Sequence, residues 1–236
     1  MSRRYTLLGL LGAGLLAAGA LTGCASGAAT SPETPDAASS APASDITAGW
    51  LDGGRMVALV TYGSSSCVPT AAGEPTLDGR VLTVTLADSA DTACTRDMAP
   101  RATAVVLPAG VDPTQGLEIS VEGAVTGQAI LAGLPAAPET VAEFAPSAGW
   151  VDSTHVAVLT WGSSSCRPAV ETVAAEGESI ALTFAAPPAD QVCTMDIAPR
   201  VTLAEVGGVA GSGEVSLTLS GGNVAADGPV PVLGVR

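Results

Sequence analysis

Apolar and polar residues alternate with a period of two along much of this chain, the spacing that turns one face of an extended strand toward a core and the other toward water. Leu82-Thr83-Val84-Thr85-Leu86, Leu117-Glu118-Ile119-Ser120-Val121-Glu122, Ile180-Ala181-Leu182-Thr183-Phe184 and Val215-Ser216-Leu217-Thr218-Leu219-Ser220 follow it closely. Met56 to Tyr62 and Val156 to Trp161 are more continuously apolar, which predicts strands covered on both sides. Arg101 to Leu107 and Arg200 to Val206 add another strand each. Gly, Pro and Asp clusters separate these segments, and beyond the N-terminal stretch no segment carries a 3.6-residue period. The pattern predicts an all-β fold of two tandem small antiparallel β-sandwich or barrel-like modules.

The number of modules comes from an internal repeat. Ala48-Gly49-Trp50 returns as Ala148-Gly149-Trp150, and Tyr62-Gly63-Ser64-Ser65-Ser66-Cys67 as Trp161-Gly162-Ser163-Ser164-Ser165-Cys166. Cys94-Thr95-Arg96-Asp97-Met98-Ala99-Pro100-Arg101 returns as Cys193-Thr194-Met195-Asp196-Ile197-Ala198-Pro199-Arg200. The copies span 46–138 and 146–236, joined by a short Pro- and acid-containing segment.

Ahead of the first copy, Arg3 and Arg4 precede an uncharged run of Leu, Ala and Gly from Tyr5 to Leu21, the layout of a secretory signal over residues 1–23. Leu21-Thr22-Gly23-Cys24 then resembles the lipobox of bacterial lipoproteins. The resemblance implies that the signal is cut before Cys24, whose thiol carries a diacylglycerol with palmitate-like chains. Two or three such chains hold a protein on a bilayer where one holds only marginally. The implied location is the cell membrane, lipid-anchored, on its extracytoplasmic face, and the implied partner of Cys24 is membrane lipid. Residues 24–45 then form a disordered linker of Ser, Thr, Pro, Ala and acidic residues, with a reach of roughly 25 Å.

Charge narrows the partners. The chain has 236 residues with 9 basic and 23 acidic side chains, and every basic residue is Arg. Seven arginines and all 23 acids follow Cys24, so the processed chain carries −16. That excludes nucleic acid, which needs a basic face, and it keeps the protein body off anionic lipid. The absence of Lys removes Schiff-base and P-loop chemistry.

Setting Cys24 aside leaves Cys67, Cys94, Cys166 and Cys193, two per copy and each pair 27 residues apart. In an exported protein this predicts Cys67–Cys94 and Cys166–Cys193 disulfides, because each module had to fold before it was duplicated. A zinc site of four thiolates lacks the CxxC spacing it needs. No metal and no cofactor are assigned.

GSSSC invites a nucleophile, but a serine hydrolase needs a base within reach. The only His is His155, its repeat counterpart is Met56, and the final Gly of a G-x-S-x-G elbow is replaced by Cys67 and Cys166. The sequence therefore predicts no enzyme, with a hydrolase at Ser164 or a neighbour in copy two as the disfavoured alternative. The serines read instead as a turn whose hydroxyls cap backbone groups, and Asp97 with Arg101 and Asp196 with Arg200 as structural ion pairs. A ligand reading uses the same repeated positions: Trp50, Tyr62, Trp150 and Trp161 as sugar platforms, Ser64, Ser65, Ser163 and Ser164 as hydroxyl donors, Arg101 and Arg200 as forks for an anion.

With lipobox, linker and doubled GSSSC…CTxDxAPR blocks in hand, the chain resembles actinobacterial lipoproteins built from a repeated GSSSC-type module of unassigned function. The resemblance carries over no catalytic residues. It implies location and architecture; the duplicated turn-and-disulfide block, with no catalytic base duplicated beside it, leads to the expectation of a non-catalytic envelope lipoprotein acting as a binding or structural module, its partner a cell-wall polymer, a glycan or an envelope protein.

Overall fold

The alternating segments all become strands, and shorter ones form between them. In the first repeat these are β1 (Thr47–Leu51), β2 (Met56–Gly63), β3 (Thr70–Ala71), β4 (Thr76–Asp78), β5 (Val81–Ala87), β6 (Ala99–Val106), β7 (Leu117–Gly123) and β8 (Gly127–Leu131). The second holds β9 (Ser147–Trp150), β10 (His155–Gly162), β11 (Val170–Glu176), β12 (Ser179–Phe184), β13 (Ala198–Glu205), β14 (Ser216–Gly221) and β15 (Val230–Leu233). This computed structural model describes residues 46–137, 141–207, 214–224 and 226–236. The signal, Cys24 and the linker expected over 1–45 lie outside the described residues.

Each repeat splits its strands between two sheets. In the first, β1-β2-β6 form one antiparallel sheet and β3-β5-β7-β8 the other, with β4 also on β5. Most pairs are antiparallel as expected, but β5 with β7 and β12 with β14 are parallel, which corrects the purely antiparallel expectation. The cause is the route of the chain. It leaves β5, makes β6 in the opposite sheet, and comes back along β7 in the same direction as β5, a crossover long enough for parallel pairing. In the second repeat β15 pairs in parallel with β9 and antiparallel with β14, so its two sheets join into one seven-stranded order, β11-β12-β14-β15-β9-β10-β13.

Three cores follow from which faces these sheets cover. Val57 and Leu59 of β2 meet Leu82, Val84 and Leu86 of β5 and Ile119 and Val121 of β7 inside the first repeat. Val156 and Val158 of β10 meet Ile180, Leu182 and Leu217 inside the second. The opposite faces of β2 and β10 supply a third core, between the repeats, from Met56, Ala58, Val60, Ala157, Leu159, Ala102 and Val201. The stack therefore has four β layers, and β2 and β10 lie in the middle two. Apolar residues on both faces explain why these two segments are continuously apolar where their neighbours alternate.

The repeats, expected as two modules, consequently share one compact unit. Their seam is close-packed where β1 crosses β9. A Cβ on Gly49 would sit 2.5 Å from the Trp150 carbonyl oxygen, and one on Gly149 would overlap the Trp50 carbonyl oxygen. The contact is reciprocal, as a two-fold interface is. Ser147 adds a cross-repeat hydrogen bond, its Oγ accepting from the Asp52 N–H at 2.8 Å.

Candidate functional site

The residues that repeat most strictly converge at one end of each module, around a loop closed by a disulfide. Cys67 bonds Cys94 and Cys166 bonds Cys193, the pairing expected from the duplication. In the first copy β2 ends at Gly63 and the serines turn the chain, with the Cys67 N–H donating to the Ser64 carbonyl at 3.3 Å. The second copy repeats this bond from Cys166 to Ser163, also at 3.3 Å.

The repeated arginines hold these turns from inside. Arg101, on β6 opposite Thr61, donates from Nη1 to the carbonyls of Cys67 at 2.6 Å and Ser64 at 3.2 Å, and from Nε to Thr61 Oγ1 at 3.4 Å. Arg200 donates from Nη1 to the Cys166 carbonyl and from Nη2 to the Trp161 carbonyl, both at 2.9 Å. The guanidinium lies directly over the turn glycine: a Cβ on Gly63 would come within 2.6 Å of Arg101 Cζ, and one on Gly162 within 2.8 Å of Arg200 Cζ. That close approach is why glycine stands before both serine runs. In copy two the match is imperfect, since Thr160 turns its hydroxyl toward the Arg200 carbonyl and leaves the buried Arg200 Nε without a partner. Burial also lowers the Arg200 pKa.

The aspartates do different work from that expected of them. Neither Asp97 nor Asp196 pairs with its arginine; Arg55 pairs with Asp52, and His155 hydrogen-bonds Asp152. Asp97 Oδ1 instead accepts the Ser65 N–H at 3.1 Å and the Thr95 hydroxyl. Asp196 Oδ1 accepts the Ser164 N–H at 3.1 Å and the Thr194 hydroxyl. The Arg side chains satisfy carbonyls while the Asp side chains satisfy N–H groups of the same turn, so each charge meets the backbone dipole of opposite sign. Hydrogen bonds from Ser65 and Thr95 hold the Asp97 carboxyl far below the usual range. Those from Thr194 and Ser164 bring Asp196 down to about 2.

The hydroxyls gather on one threonine per copy. Ser64 Oγ lies 2.9 Å from Thr95 Oγ1 and Ser65 Oγ 3.3 Å from it, while Ser66 Oγ accepts the Thr95 N–H at 3.0 Å. Ser163, Ser164 and Ser165 surround Thr194 likewise, with Ser163 Oγ at 2.8 Å. The serines stand out in the sequence as a run, whereas Thr95 and Thr194 do not. Their signal was present in the repeated Cys-Thr-x-Asp, as was that of Thr103 and Thr202, whose hydroxyls reach the carbonyls of Pro69 and Pro168.

The aromatic positions separate from this cluster. Trp50 is fully buried with Nε1 donating to the Ala132 carbonyl at 2.7 Å, and Trp150 is buried beneath the Arg236 guanidinium, 5.7 Å from its ring centroid. Trp161 is half-buried, edge-on to Phe144, with Nε1 on the Ala145 carbonyl. Of the four positions offered as sugar platforms only Tyr62 is well exposed, at 43%. His155 bonds Asp152 Oδ2 at 2.9 Å and Thr154, at the opposite end of β10 from the serines. Comparison with known protein families, with curated proteins and with solved structures finds no match to the chain.

Proposed function

We propose that the chain is a non-catalytic envelope lipoprotein, anchored through acylated Cys24 on the extracytoplasmic face of the membrane, whose β body is a rigid binding and display module. One observation carries the non-catalytic part. The repeated hydroxyls and carboxylates that could attack a substrate are already engaged within the turn they belong to: aspartate with N–H and hydroxyl, serines with threonine. A nucleophile needs a base whose proton-accepting atom faces it, and here the hydroxyl cluster faces carboxylates whose depressed pKa makes them poor bases at neutral pH.

The display part is supported by what the turns hold outward. The residue after each repeated aspartate is large, apolar and solvent-facing, Met98 at 77% and Ile197 at 62%. Cross-linked loops that keep apolar side chains in water on a frame this firmly packed suit an encounter with a partner better than they suit the fold. Growing cells with an alkyne-tagged palmitate tests the anchor. The wild-type chain takes the label and sediments with membranes, and Cys24→Ser does neither; label retained by Cys24→Ser overturns the anchor. A fluorophosphonate probe that labels the chain, and stops doing so in Ser163→Ala/Ser164→Ala/Ser165→Ala, overturns the non-catalytic reading.

A further inference from the structure

The packing of the two repeats creates a feature neither has alone. Where β6 runs beside β13 the seam opens into a shallow groove of about 230 Å³, walled by Ser65, Pro100 and Arg101 from the first repeat and Arg167, Val201 and Thr202 from the second. Two guanidinium groups share it and no carboxylate lines it, in a chain with 23 acidic residues. Asp97, tied to the Ser65 N–H, already holds that donor and the Thr95 hydroxyl. Arg101 uses Nη1 and Nε on the turn, and among the described residues its Nη2 has no hydrogen-bond partner. Arg167 is exposed and makes no hydrogen bond or ion pair with the described residues.

The repeat makes Arg167 conspicuous. Its counterpart, directly after the first copy's cysteine, is Val68, which lines the same groove. The fold therefore accepts an apolar residue there, and the arginine is not required by the turn. Two like charges in one concavity repel each other unless an anion lies between them. Guanidinium forks match tetrahedral and planar oxyanions.

We propose that this seam groove binds a phosphate group, as a phosphomonoester or as one unit of a phosphodiester polymer, between Arg167 and the free Nη2 of Arg101, with Ser65 and Thr202 alongside. The site goes beyond the anchored, non-catalytic reading and does not depend on acylation of Cys24, so a failed palmitate experiment leaves it standing. It also places the ligand on the seam rather than at the repeated turns, which makes it a property of the duplicated chain.

The test uses the full chain, ¹⁵N-labelled in neutral detergent micelles, titrated at constant ionic strength with inorganic phosphate, glycerol 3-phosphate, a short poly(glycerol phosphate) and acetate. The Nε–H signals of Arg167 and Arg101 shift saturably with the phosphate compounds. Arg167→Val, which installs the residue of the other repeat, weakens binding on the order of tenfold or more, the loss expected for one charge-assisted contact. Arg167→Gln serves as a second variant should the valine disturb the fold, which the remaining amide signals report. Tighter saturation by the polymer than by glycerol 3-phosphate assigns the site to a polymer, and equal affinity assigns it to a free ester. Drift without saturation, saturation unchanged in both variants, or acetate binding as tightly as phosphate overturns the proposal.

Discussion

Replacing Gly49 by alanine sets two effects of opposite sign against each other. Gly49 lies in β1 and its φ is not in the left-handed region, so alanine fits the backbone and by itself raises stability by about 0.4–1 kcal/mol through the unfolded chain. Against this, the new Cβ meets the Trp150 carbonyl oxygen at 2.5 Å, the Val151 Cγ1 at 2.8 Å and the Trp150 carbonyl carbon at 3.1 Å. Two of these atoms are backbone of β9, held by its pairing with both β10 and β15, and have no rotamer through which to yield. Relief requires β1 and β9 to separate, which opens the core that Met56, Ala58 and Val60 share with Leu159. Overpacking of this kind costs about 1–3 kcal/mol, so the clash wins and the net loss is about 1 kcal/mol. A body of this size then melts roughly 2–5 °C lower. Urea unfolding of Gly49→Ala should show a lower midpoint at unchanged slope, and Gly149→Ala a larger drop. Gly228→Ala, with open space around it, should lie within about 0.5 kcal/mol of wild type. If Gly49→Ala and Gly228→Ala unfold alike, the repeats do not press together at this crossing and the shared core is refuted.

Further outcomes follow from the turns. Cys67→Ser/Cys94→Ser frees a 27-residue separation and should cost about 3.5 kcal/mol by loop closure, read as a lower urea midpoint. Arg101→Met removes charged donors from the Ser64 and Cys67 carbonyls and should cost about 2 kcal/mol, with faster amide exchange confined first to residues 63–67. The pH response is signed by the aspartates. Their folded pKa values lie below the ordinary 3.8, so their contribution is whole above that pH and fades as pH falls toward the value of about 2 at Asp196. The protection of the Ser164 N–H, taken relative to the intrinsic exchange rate at each pH, should therefore fall between pH 4 and pH 2, with Ser65 following at lower pH because Asp97 is held lower; Asp196→Asn should remove the step. Thr194→Val should raise the Asp196 pKa toward the ordinary value, visible in a carboxyl ¹³C titration, because it removes one of the hydroxyls bonded to that carboxylate.

Strand placement was legible because each strand with one wet face writes its period into the residues, as Leu82, Val84 and Leu86 do, all buried on one side of β5. The continuous runs of β2 and β10 announced cover on both sides without naming it, and the cover on one side proved to be the other repeat. Short strands such as β3 and β4, and β8 with its Gly-Gln-Ala-Ile-Leu, carry too few alternations to stand out from turns. The parallel pairing of β5 with β7 is a matter of where the chain travels between them, which no local pattern records. At the turns the repeat pointed to the disulfides and to the arginines, aspartates and serines, but not to Thr95 and Thr194 or to the partners of the charges. Arg101 and Asp97 stand four apart with opposite charge, yet backbone carbonyls and N–H groups outcompete a side chain for each of them. Arg167 carries no repeat signal, because it stands at a position where the two copies differ.

The middle two layers bear on how such a chain assembles. The first repeat is synthesised ahead of the second, and at that moment the surface carrying Met56, Ala58 and Val60 has nothing to lie against. Until the second half arrives, the nascent protein offers a greasy sheet to whatever is nearby, including a neighbouring half-made sister. A short joining segment shortens that wait by making the rightful mate the first to come within range.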